Sequence, residues 1–168
     1  LPFSYVYGYE GYAVAAAKAT ANYETYGVLY NRPAVMVEGI CPSGWHIPSD
    51  GEWQTMVISL GMSEADAASE GWRGSPVGDY MKSTSGWGWS DWSGSSGNGS
   101  NSSGFTGLPG GLIDPPDGFF WVEESSYWWT ASGSGTSAWA WGLWNGWDEV
   151  FRFVETRDYG FSARCVRD

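Results

Sequence analysis

Few residues in this 168-residue chain are suited to chemistry. His46 is the only histidine, so neither a Ser-His-Asp arrangement with a spare base nor a His-rich metal site can be assembled around a second one. Cys41 and Cys165 lie far apart, and neither sits in a C-x-x-C or a metal-ligand cluster. They are either two separate buried thiols or the two halves of one disulfide. Glu123 and Glu124 are the nearest approach to a carboxylate pair for glycoside hydrolysis, but neighbours on a strand point to opposite faces. Asp114, Asp117, Glu123 and Glu124 supply oxygen, and calcium needs six to eight such ligands. Solvated acids are the simpler account, with a structural calcium as the alternative. Asn98-Gly99-Ser100 and Asn101-Ser102-Ser103 fit an N-x-S/T acceptor and read as loop residues. The expectation is a protein that is not an enzyme and needs no cofactor.

What the chain has in excess is aromatic surface. There are 13 Trp, 10 Tyr and 7 Phe, 18% of all residues, more than a core of this size uses. Some rings are therefore expected outside, where exposed rings usually mean contact with a partner. The net charge of -11, from 19 acidic and 8 basic residues, repels phosphate backbones and anionic lipid, which argues against nucleic acid and anionic membranes as partners. No run approaches the ~18 apolar residues of a membrane span. The start, LPFSYVYGYEGY, has no basic region or apolar run of a signal peptide. The chain reads as a mature or trimmed piece of something longer. Gly, Ser, Thr, Asn and Trp are plentiful and Lys is scarce, a composition that looks extracellular and favours the disulfide, because disulfides persist in oxidising compartments. Closing a loop of ~100 residues contributes about 4–5 kcal/mol in the chain-entropy model.

The elements that must position these residues are partly legible. Tyr12 to Ala21 is Ala-rich and suits a helix, although it has no apolar stripe. Tyr26 to Tyr30 reads as a short strand and Pro33 to Val37 as a helical turn. Ser49 and Glu52 form an S-x-x-E capping box. Trp53, Met56, Val57 and Leu60 then follow at i, i+3, i+4 and i+7, one face of a helix of about three turns, and Gly61 stands where a terminating glycine belongs. A second short helix is expected from Ser63. Residues 71–112 are mostly turn chemistry, with DPPDG at 114–118 another turn. FFWVE, YWWTAS, SAWAWGLW, EVFRFVE and FSARCVR then read as four or five strands of an antiparallel sheet. Helices come first and the sheet late, so the class is α+β. Alternation puts Trp139, Trp141 and Leu143 on one side of their strand, and Ala138, Ala140, Gly142 and Trp144 on the other. The bulkier set is expected to face the core.

Several stretches resemble the Fibrobacter succinogenes major paralogous domain family: YGVLYN (26–31), GICPSGWHIPSDGEW (39–53), GMSEADA with GWRG (61–74), KSTSGW (82–87), SNSSGFTGLPGG (100–111), YWWTAS (127–132) and YGFSARCVRD (159–168). The match begins near residue 24, which implies a single domain over 24–168 preceded by an extension, residues 1–23. The resemblance implies a C-type-lectin-like fold of the formylglycine-generating-enzyme variety, with short helices packed on a small twisted sheet and long irregular loops. It implies a Cys41–Cys165 disulfide, a packed structural place for His46, and export. The cysteines used by formylglycine-generating enzymes have no counterpart once these two pair. The sugar-binding triplets of C-type lectins are also unmatched, the nearest being Asp114-Pro115-Pro116-Asp117 and Trp144-Asn145-Gly146.

The last third is similar to retroelement-diversified variable proteins, which keep a strand scaffold and vary the positions between. That likeness places Trp139, Trp141 and Leu143 in the scaffold. It places Ala140, Gly142, Trp144, Asn145, Trp147, Phe151, Phe153 and Glu155 on a ligand-facing side, beside the 132–137 loop with Ser132, Ser134 and Thr136. The expected function is an extracellular adhesion or ligand-binding module for a protein or glycan at a cell or phage surface. The alternative is a structural subunit of a bacterial surface or phage assembly, in which the same face is buried against another chain.

Overall fold

The computed structural model describes all residues, 1–168. The first third is a run of short elements: β1 (Ser4–Tyr5), α1 (Val14–Lys18), α2 (Ala21–Tyr26), β2 (Leu29–Tyr30), α3 (Arg32–Val35) and β3 (Trp45–His46). The middle holds α4 (Asp50–Ser59), α5 (Glu64–Ala68), β4 (Gly71–Arg73), α6 (Val77–Met81) and the small hairpin β5 (Trp89–Ser90) and β6 (Ser95–Ser96). The last third is β7 (Gly110–Asp114), β8 (Gly118–Val122), β9 (Ser125–Ser134), β10 (Ser137–Trp144), β11 (Val150–Thr156) and β12 (Val166–Arg167).

Local sequence accounts for the helix ends. At α4 the Ser49 hydroxyl accepts from the Glu52 N–H at 3.2 Å, and the Glu52 carboxylate accepts from the Ser49 N–H at 2.7 Å. Both halves of the capping box are present. Trp53 and Val57 are buried, with Met56 and Leu60 packed beside them, and Gly61 ends the helix at φ +106°, a conformation that favours glycine. Ser63 caps α5 as expected. The strand expected over 26–30 is shorter, because Tyr26 closes α2 and Gly27, at φ +75°, turns the chain before Leu29.

Six strands form the main sheet in the order β4-β11-β10-β9-β7-β8. The class is α+β, as expected, but the sheet is mixed. β7 runs parallel to β9 at Gly111–Ser126, and the other neighbours are antiparallel. The DPPDG turn joins β7 to β8. The edge strand β4 comes from the turn-rich middle of the chain, so the sheet is not built from the last third alone. β3 pairs with β12, and the Cys41–Cys165 disulfide closes beside that pair with a Cα–Cα distance of 5.8 Å. Residues 1–23, expected as an extension or the remainder of a longer chain, make contacts with the rest of the fold. β1 pairs with β2, Val6 is buried, and Asn31 accepts from the Phe3 N–H and donates to the Leu1 carbonyl.

Apolar layers cover the sheet on both faces. On one, Trp53, Val57, Met62, Val77 and Met81 pack on Trp128, Trp141, Leu143 and Val150. On the other, Val35, Ile47 and Phe161 pack on Leu112, Tyr127, Trp129, Ala138 and Ala140. Trp141 and Leu143 are therefore core, as expected, and Trp139 is half-buried beneath the Arg152 guanidinium at 3.7 Å. Ala140 and Gly142 require correction. They occupy the side expected to meet ligand, yet Ala140 has no exposed surface and Gly142 is buried, because the second layer covers that part of the strand.

Candidate functional site

The second layer does not close over the whole face. β10 presents only the small residues Ala140 and Gly142 there, between bulky columns on its neighbours. Gly142 pairs with Phe151 on β11 and with Tyr127 on β9, and Phe151 pairs in turn with Trp72 on β4. A row of three rings is thus interrupted by one residue with no side chain, and beside it lies a groove of about 470 Å³ whose lining includes Tyr127, Phe151 and Leu112 but not the buried Gly142. The β4–β11 side supplies Trp72, Phe151 and Phe153, and β8 and the end of β10 supply Trp121 and Trp144. Tyr127, a lining residue, covers Gly142 so closely that a Cβ there would sit 2.6 Å from its ring. The absence of a side chain there is what makes room for Tyr127.

The rings form a continuous array. Trp92, Trp147, Trp72, Phe151 and Phe153 stack in succession, with centroid separations of 6.1, 5.5, 4.7 and 4.6 Å and near-parallel planes. Trp121 and Trp144 lie 5.2 Å apart on the other side. Trp92 is 80% exposed, Trp89 on the same hairpin 66%, and Trp121 44%. Contiguous exposed aromatic surface of this kind is compatible with a binding role.

The loop carrying Trp147 is held firmly. The Lys82 ammonium, almost wholly buried, donates to the Trp147 carbonyl at 3.0 Å and lies 3.8 Å from Asp148. Burial depresses the Lys82 pKa, and Asp148 opposes that shift. The Gly78 N–H donates to the Asp148 carbonyl at 2.7 Å. Asn145 donates from its backbone to Glu124 and from its side chain to the Trp89 carbonyl. Asn145, expected on the ligand-facing side, is thus buried in the loop's support. At the far end of the groove stand Glu155 and Tyr159, whose hydroxyl donates to Asp114 at 2.7 Å. That hydrogen bond to Asp114 pushes the Tyr159 phenol up to about 12, and burial pushes Tyr127 to about 12. Both are neutral at ordinary pH.

Of the residues expected to meet ligand, Trp144, Phe151, Phe153 and Glu155 do come together in the groove, and Trp147 continues its stack. The serine-rich loop does not line the groove, although its end at Ser137 adjoins the strand position of Glu155. Ser132 accepts from the Asp50 N–H at 3.0 Å and so supports the start of α4. Ser134 ends β9 and Thr136 lies in the turn to β10. That turn is at the opposite end of β10 from Trp144, about 20 Å away at the rise of an extended strand. Trp72, Trp92, Trp121, Tyr127 and Tyr159 were not among the expected residues. The available signal was their setting: GWRG and SDWSG place a large ring among turn formers, where no core requires it. Asp114, Asp117, Glu123 and Glu124 do not converge, and no group of three or more His, Cys, Asp or Glu side chains forms a metal-binding set.

A family model described as the Fibrobacter succinogenes major domain matches residues 4–167. The chain belongs to that family. The Fibrobacter succinogenes major domain therefore takes in β1 and both early helices as well as the sheet and groove. No curated protein and no solved structure matches the chain.

Proposed function

We propose that this chain is an extracellular, non-catalytic binding module of C-type-lectin-like architecture that takes its ligand in the aromatic groove. The supporting observation is the groove itself: an open concavity lined by stacked rings. Stiff rings held by a fixed loop contribute contact area with little entropy lost on binding. The early-to-late disulfide and the pairing of the last strand with β3 are in keeping with the lectin-like reading, and the disulfide suits an oxidising exterior. The only histidine lies away from the groove lining, with both ring nitrogens engaged by Asp168 and Glu52. This favours binding over acid–base chemistry at the groove.

Trp144→Ala and Trp72→Ala are expected to abolish capture of ligands from a glycan array or a native-habitat extract while leaving the unfolding midpoint near that of the parent. Unchanged capture by both variants would end the assignment. A second reading, a subunit of a surface or phage assembly, draws on the exposure of Trp89 and Trp92. A monodisperse monomer by light scattering supports the binding module, and concentration-dependent self-association supports the assembly.

A further inference from the structure

The charge around the groove narrows its ligand, given the binding reading above. Glu155 lines one end, and Asp114 lies behind Tyr159 at the same end. Neither carboxylate is in an ion pair, for the four acidic partners in salt bridges are Asp50, Glu52, Asp148 and Asp168. Six of the chain's eight Lys and Arg side chains are held by the fold, and of these only Arg157, at the turn beside Glu155, lies near the groove's acidic end, without pairing to it. Arg32, Arg73, Lys82 and Arg152 are buried. Arg164 lies over the Phe105 ring, and Arg157 donates to the Gly135 and Ser137 carbonyls at the hairpin turn. An apolar cleft with an unneutralised acidic end, on a molecule of net charge -11, attracts cations, and the faces of its rings carry negative potential of the same sense.

The lining also argues against a neutral sugar. Ten of its 11 residues are hydrophobic, so most hydroxyls placed there would lose water without gaining a partner. An arginine or lysine side chain suits it better, since its methylene stem can lie on the rings while its head reaches the carboxylate. We propose that the groove binds a protein segment in which an arginine or lysine neighbours an apolar residue, with the cation at Glu155 and the apolar group against Tyr127 between Phe151 and Trp144.

The test uses three probes on the intact disulfide-bonded chain, read by tryptophan indole NMR shifts: acetyl-Leu-Arg-Leu-Arg-amide, its citrulline twin, which keeps the shape and removes the charge, and cellotetraose. The arginine peptide is expected to shift Trp72 and Trp144, and the twin to bind at least about tenfold more weakly, a difference of about 1.4 kcal/mol. Added salt is expected to narrow that gap. Glu155→Gln is expected to remove the preference for arginine and leave the weaker binding of the twin, whereas Trp144→Ala removes both. Equal binding of peptide and twin, with loss in Trp144→Ala, overturns the cation assignment and leaves the groove reading standing. Failure of the arginine peptide at millimolar concentration also overturns it, and cellotetraose shifting these indoles in its place would point to a glycan. Probe binding that leaves Trp72 and Trp144 unshifted would sink both readings.

Discussion

Asp50 shows how much one residue can organise. It is the first residue of α4, where the helix dipole favours an acid, yet it is buried beneath the sheet. Its carboxylate accepts from Trp141 Nε1 at 3.0 Å, from Arg152 Nε at 2.9 Å and from an Arg152 terminal nitrogen at 2.6 Å. Arg152 also donates to the Ala68 carbonyl at the end of α5. Helix, sheet and second helix are thus bound through one bidentate pair. Such a pair adds little over an apolar replacement, but removing one partner strands the other charge. Asp50→Ala is accordingly expected to lower unfolding free energy by about 3–5 kcal/mol in urea titration. Asp50→Asn, which keeps an acceptor for Trp141, should cost less. A loss under about 1 kcal/mol for the alanine variant would mean that water or another group satisfies Arg152.

At the scale of elements, β3, α4 and β12 meet at His46. Its Nδ1 lies 2.6 Å from Asp168 and its Nε2 2.8 Å from Glu52. The hydrogen bonds to Asp168 and then Glu52 raise the His46 pKa, and the Ser49 backbone N–H lowers that of Glu52. A raised histidine contributes stability that is complete below its unfolded value of about 6.5 and is lost as pH rises through the folded value. A depressed glutamate contributes above about 4.3, its unfolded value, and loses that contribution as pH falls through the folded one. The clamp is therefore strongest between about pH 4.3 and 6.5. His46→Gln should lower the melting temperature at about pH 6 and match the parent at about pH 9, where both are neutral. A difference of equal size at both pH values would mean that His46 acts by packing alone.

For the whole molecule, the Cys41–Cys165 bridge spans 124 positions. It restrains the unfolded chain across α4, the sheet and the groove together. Reduction, or the double Cys→Ser variant, is expected to cost about 2–5 kcal/mol in unfolding free energy. The stacked wall of the groove should survive in whatever fraction stays folded, because Trp72, Phe151, Trp121 and Trp144 rest on β4, β11, β8 and β10, whereas the cysteines pack on the Tyr127 and Phe161 side. Groove binding that collapses on reduction while the far-ultraviolet spectrum is unchanged would show instead that the bridge sets the groove's shape.

Short-range physics was readable from the residues in order. The Ser49–Glu52 box, the i, i+3, i+4, i+7 face of α4 and the Gly61 stop each depend on neighbours within one or two turns, and each is present. The class and the excess of aromatic surface were readable too. What escaped depends on which distant segments cover which face. Alternation assigned Ala140, Gly142 and Trp144 to one side of β10 correctly, but it carries no information about what lies over that side. Phe161, Tyr127 and Trp129 cover the first part and leave the end open. Nothing local marks Arg152 and Asp50 as partners, because the fold alone brings together residues 102 positions apart. The parallel meeting of β7 with β9 and the recruitment of β4 to the sheet edge are decided likewise. Local propensity specifies elements, but a groove is the space left between them, and only their packing can set it.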